Sequence, residues 1–78
     1  MTTETTGEQL IKTCAEYLRA TYGEELVEYD ILESDVEDGT GQLTMECTVR
    51  AGGATSRWGK TFTFADGDVV NMTSRHLG

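Results

Sequence analysis

Residues 8–22 read EQLIKTCAEYLRATY. Leu10, Ile11, Cys14, Ala15, Leu18 and Tyr22 recur at the spacing of one helical face, with Tyr17 on its border, and Glu8, Gln9, Lys12, Thr13, Glu16 and Arg19 fill the opposite side. Thr5 followed by Glu8 fits a capping box, and Thr6 with Gln9 offers a second register. Glu8 lies four residues before Lys12, the favourable order for an ion pair on a helix. Gly23 stands where a left-handed residue closes a helix. A single helix with one apolar stripe is marginal alone in water, so the remaining chain must supply a surface for it.

That surface reads as β-structure. Gln42 to Arg50 alternates strictly: Leu43, Met45, Cys47 and Val49 point one way, and Thr44, Glu46, Thr48 and Arg50 the other. Such alternation predicts one buried and one wet face. Gly52-Gly53 supplies a two-residue hairpin turn. This turn sets Leu43 opposite Phe62, Cys47 opposite Trp58 and Met45 opposite Lys60. Lys60 is then expected to lay its stem on the core and carry its ammonium to the edge. Residues 55–64 form the next strand, with Trp58, Phe62 and Phe64 inward.

The last strand, 69–76, follows Asp66-Gly67-Asp68. A two-residue Asp-Gly loop would pair Phe64 with Val69 and turn Val70 and Met72 to the wrong face. A three-residue loop pairs Phe64 with Val70, Phe62 with Met72 and Trp58 with His76, and the apolar pattern selects it. The first strand spans 25–37. Val27, Tyr29 and Ile31 share one parity, and Leu32 and Val36 the other. Because a strand has period two, the change implies a bulge or bend near Ile31 to Ser34. Asp38-Gly39-Thr40-Gly41 is the turn that follows.

The sum is an α+β domain of two layers, in which one N-terminal helix packs on a four-stranded antiparallel meander in the order α-β-β-β-β. All 78 residues belong to this single domain, with 1–6 read as a flexible leader and the helix at about 8–22. The polar, acidic N-terminus has neither the signature of a secretory signal nor that of a basic transit peptide, which predicts a cytoplasmic protein. No apolar run is long enough to span a bilayer. Cys14 and Cys47 both fall on inward faces and read as buried thiols rather than as a disulfide framework.

Charge is the feature out of proportion. The formal net charge is −8, and Glu24, Glu25, Glu28, Asp30, Glu33, Asp35, Glu37 and Asp38 lie in one segment without Lys or Arg. Contact with nucleic acid or an anionic membrane is disfavoured, because the phosphate term would be repulsive. The segment does not match a calcium loop: with Gly39 at position 6, positions 1, 3 and 5 hold Ser34, Val36 and Asp38, and position 12 is Met45. One histidine and two distant cysteines give no zinc set. His76 near the chain end, with Ser74 and Cys47, makes a poor catalytic group, and its plain role is packing near Trp58. Gly52-Gly53 joins strands rather than opening a helix, so it is not a phosphate loop. Asn71-Met72-Thr73 matches a glycosylation acceptor by composition alone. The expectation is therefore a non-enzymatic protein without cofactor or metal.

The order of helix and meander resembles, in topology, the half-barrel sheets of cystatin-like folds. That resemblance implies a domain that binds a small ligand or self-associates through its sheet. In size and charge the chain is also similar to small acidic inhibitors such as phage anti-CRISPR and DNA-mimic proteins. The expected partner is then a protein with a basic surface, met by the acidic first strand, and the chain itself is a monomer or a homodimer through its sheet. Two further readings of the charge are solubility and adaptation to high salt, the latter suited by a chain with only Lys12 and Lys60 as lysines. On the wet sheet face Thr44, Thr61 and Thr73 line up across three strands, with Thr48, Thr63, Asn71, Arg50 and Arg75 nearby.

Overall fold

The computed structural model describes residues 7–78. The proposed capping boxes, which need Thr5 and Thr6, and the side chain of Glu8 lie outside what is described. One helix, α1 (Gly7–Tyr22), precedes four strands: β1 (Glu25–Glu37), β2 (Thr40–Ala51), β3 (Ala54–Ala65) and β4 (Asp68–His76). The strands form one antiparallel sheet in the order β1-β2-β3-β4, as expected for a meander.

α1 lies on one face of the sheet. Leu10, Ile11, Cys14 and Leu18 bury their side chains with Leu43, Met45, Cys47 and Val49 of β2 and Phe62 and Phe64 of β3. Tyr17, Leu26, Val36, Trp58, Val69 and Met72 pack around them. Both cysteines are free and buried, and burial pushes the Cys14 thiol up to about 12. Tyr22 does not join the core: it is 52% exposed, its ring edge-on to Tyr17 at 6.2 Å. Gly23 closes the helix with a φ of 69° and donates its N–H to Arg19 C=O, the αL form of the C-cap. Glu24 N–H reaches back to Leu18 C=O, which starts the turn into β1.

The hairpins share one device. Asp38-Gly39, Gly52-Gly53 and Asp66-Gly67 are two-residue turns with positive φ at both positions. These are the primed turns whose twist matches that of the flanking strands. Thr40 and Gly41, expected in the first turn, already belong to β2. The first and third turns touch, with Gly67 N–H donating to Gly39 C=O at 2.9 Å.

The β2–β3 register is the expected one, with Leu43 opposite Phe62, Met45 opposite Lys60 and Cys47 opposite Trp58. The β3–β4 loop is not. It has two residues, and Phe64 pairs with Val69. A bulge at Val70 then restores the phase, so that Phe62 meets Met72 and Trp58 meets His76. Loop length and bulge trade off: a residue thought to lengthen the turn sits in the strand instead, with its side chain 59% exposed.

Lys60 departs from expectation too. Its ammonium does not reach an open edge. The residue is 2% exposed, and Nζ stands 3.5 Å from Glu24 Oε1, 4.9 Å from the Trp58 ring centroid and 6.0 Å from that of Tyr22. A carboxylate and two aromatic faces thus replace water around the cation.

Candidate functional site: the outer face of the sheet

β1 breaks its pairing with β2 twice. The register shifts between Leu26 and Glu28 and again between Ile31 and Glu33, which leaves Val27 and Leu32 as extra residues. The expected switch near Ile31 is the second of these; the first was hidden. Each shift changes the parity of everything beyond it. Leu26, Tyr29, Ile31 and Val36 pair with Val49, Cys47, Met45 and Gly41 on the helix side. Val27, expected beside Tyr29 and Ile31, is instead a bulge residue, and so is Leu32.

The same two shifts sort the acids. Glu25 is odd-numbered, Glu28 and Asp30 are even, and Glu33, Asp35 and Glu37 are odd again. On an unbroken strand they would be divided between the faces. With the bulges they pair with Arg50, Thr48, Glu46, Thr44, Gln42 and Thr40, all on the face turned away from α1. Six carboxylates therefore run down one edge of one face. Neighbours two residues apart are about 7 Å apart along the strand, so the row spreads its charge rather than gathering it at one point. Accordingly, no group of three His, Cys, Asp or Glu among the described residues is arranged to hold a metal.

Glu24 and Asp38, the ends of the acidic segment, do not belong to this row. Glu24 is partly buried against Lys60, and its Oε1 accepts no hydrogen bond, leaving the ammonium as its partner. Asp38 occupies the first turn, with φ of 52°. Within the row, Glu25 pairs with Arg50 at 3.6 Å, both side chains about half exposed. Exposed pairs of this kind contribute little and are screened by salt. No ion pair engages Glu28, Asp30, Glu33, Asp35 or Glu37 among the described residues.

Beside the acids the face is polar and slightly hollow. Thr44, Thr61 and Thr73 stand in register across β2, β3 and β4, as expected, and the Thr44 and Thr61 hydroxyls share a hydrogen bond at 3.2 Å. Arg57 donates to Thr48 Oγ1 at 3.1 Å and pairs with Glu46 at 3.6 Å. A shallow cleft of about 250 Å³ crosses the Thr row. Leu32 and Leu77 are among its walls, Gly59 and Thr61 lie within it, and Glu46 and Arg75 line it too. The bulge that sorts the acids therefore also delivers an apolar side chain, 56% exposed, into their midst. The sequence pattern groups Leu32 with Val36 beyond the bend; Leu32 is instead the extra residue itself, and a bulge residue need not follow its neighbours inward.

His76 has the packing role expected of it, its ring 4.7 Å from that of Trp58, whose indole N–H is given to Ser56 Oγ at 2.8 Å. No helix among the described residues is long and apolar enough to cross a membrane. No protein-family model, curated protein or solved structure matches the chain.

Proposed function

We propose that this chain is a small non-enzymatic interaction module whose outer sheet face docks on a basic surface of a larger protein. The observation that carries the reading is the double bulge of β1, which collects Glu25, Glu28, Asp30, Glu33, Asp35 and Glu37 on one face. Concentrating like charge costs stability, and a chain shaped for solubility alone would scatter it. Leu32 and the cleft beside it supply the apolar centre that a charged surface needs to hold a partner as well as attract one. The charge speeds encounter and rejects acidic competitors. A basic surface of this kind on a nucleic-acid-handling protein is one that phosphates would otherwise occupy, so docking there would act as inhibition.

Affinity capture from extract of the source cells tests this. Retention of a protein rich in Lys and Arg at low salt, and its release as salt rises, is the expected result. Retention of nothing at either salt counts against the proposal.

A further inference from the structure

The two edges of the sheet are defended very differently. An open edge offers unpaired N–H and C=O groups to any strand, and proteins blunt it with bulges, charge or proline. β1 has two bulges and six outward carboxylates. β4 has neither along most of its length: its one bulge lies at Val70, near its start, and Asn71 to His76 pairs with β3 without a break. That run carries no Lys, Pro or acid, and Arg75 is its only full charge. Exposed Val70 and Leu77 flank it.

We infer that β4 is the surface through which two copies of this chain join, antiparallel about a two-fold axis at Thr73, to make one continuous sheet. Leu77 N–H is given to Arg57 C=O, so by the alternation of an antiparallel ladder the backbone groups of Met72, Ser74 and His76 point to the free edge. The two-fold pairs Met72 with the partner's Ser74 through these groups. It sets Thr73 beside the partner's Thr73, extending the Thr44–Thr61–Thr73 row across the junction. Arg75 then faces the partner's Asn71, and no like charges oppose each other.

Charge selects a second copy at this edge over any other joining of two chains of net charge −8. Strands lie about 4.8 Å apart, so the acidic β1 is roughly 14 Å from β4 and, across the dimer, roughly 34 Å from the partner's β1. Both exceed the ~8–10 Å over which exposed charges act at physiological salt. Pairing β1 to β1 would bring the two acidic rows together, and pairing β1 to β4 would meet the ladder breaks at Val27 and Leu32. A two-fold junction also closes, leaving only defended edges. The inference is independent of what the acidic face binds, and it leaves both acidic faces open.

Sedimentation equilibrium from micromolar to millimolar chain, with amide hydrogen exchange at both ends of the range, tests it. The expected mass rises from 8.6 kDa toward twice that value, and the Met72 and Ser74 amides become protected as it does. Thr73→Lys sets two ammonium groups against each other on the axis and is expected to stay at the single-chain mass with an unchanged circular dichroism spectrum. Ser74→Pro removes an N–H that β3 does not use and should act likewise. A wild-type mass that never rises would overturn the inference. So would a Thr73→Lys chain that associates as tightly as wild type, or Met72 and Ser74 amides that exchange alike at both concentrations.

Discussion

Lys60 Nζ stands 3.5 Å from Glu24 Oε1, beneath the rings of Trp58 and Tyr22. This pair ties the residue that follows the helix cap to the middle of β3. It also separates Glu24 from the acidic row with which it is contiguous in sequence. Breaking such a pair from one side leaves a poorly hydrated charge. Lys60→Met or Glu24→Gln alone is expected to cost about 2–4 kcal/mol in urea unfolding. The double variant should lose clearly less than the sum of the two, because neither charge is then stranded.

The Leu32 bulge makes position and side chain separable. Since the side chain is 56% exposed, Leu32→Ser should change stability by less than about 1 kcal/mol. Deleting Leu32 removes the extra residue itself. Either Tyr29 and Ile31 or Val36 must then turn away from α1, and the acids on the same side of the deletion must turn toward it. The deletion should therefore lower the urea midpoint far more than the serine substitution does. Equal effects from both would contradict the register.

Two glycines with positive φ give a graded test. Gly41 has a φ of 140°, and a Cβ there would run into the Asp35 carbonyl oxygen. Gly52 has a φ of 61°, and a Cβ would meet nothing within 4 Å. Gly52→Ala should cost only the left-handed backbone term, about 1–2 kcal/mol. Gly41→Ala must also move β1 and should cost several kcal/mol more, or prevent folding. Thermal unfolding of the two variants side by side gives the comparison.

Much of this fold was legible because two periods were clean. The 3.6-residue stripe of Leu10, Ile11, Cys14 and Leu18 and the strict alternation from Leu43 to Val49 face each other in the structure. The Gly-Gly turn then set the β2–β3 register. The pattern misleads first where a strand carries an extra residue. At Val70 a bulge and a longer loop restore the same parity, so alternation alone does not separate them. In β1 one bulge was visible from the apolar residues, but the Val27 bulge left only an ambiguous mark, since Leu26 and Val27 are both apolar. Lys60 was misplaced because its partner, Glu24, is distant in sequence and looked like one more member of an acidic run. For the same reason the acidic segment was legible, while its division into a row of six, a buried partner and a turn residue was not.

The cysteines give the chain an alkaline limit. The Cys14 thiol is raised from 9.0 to about 12, first by burial and then by the neighbouring Cys47, itself raised chiefly by burial. The native state holds these protons more tightly than the unfolded chain does. Their stabilisation is therefore complete below about pH 9 and fades as pH rises toward 12. For Cys14 alone, roughly 2 kcal/mol is lost by about pH 10.5. A Cys14→Ala, Cys47→Ala chain, though weaker at neutral pH, should show a flatter decline of stability over this range. A thiol reagent at neutral pH should label the wild-type chain only after unfolding.

The measurement closest to the proposed function is the affinity of the captured basic protein for two charge-reversed chains, each first checked by circular dichroism. One carries Asp30→Lys on the outer face; the other carries Glu16→Lys on the exposed side of α1, so that both change the net charge by the same amount. Loss of binding by the first, with near wild-type binding by the second, is the expected result. Equal affinities for both would mean that net charge, and not the face assembled by the two bulges, is what the partner reads.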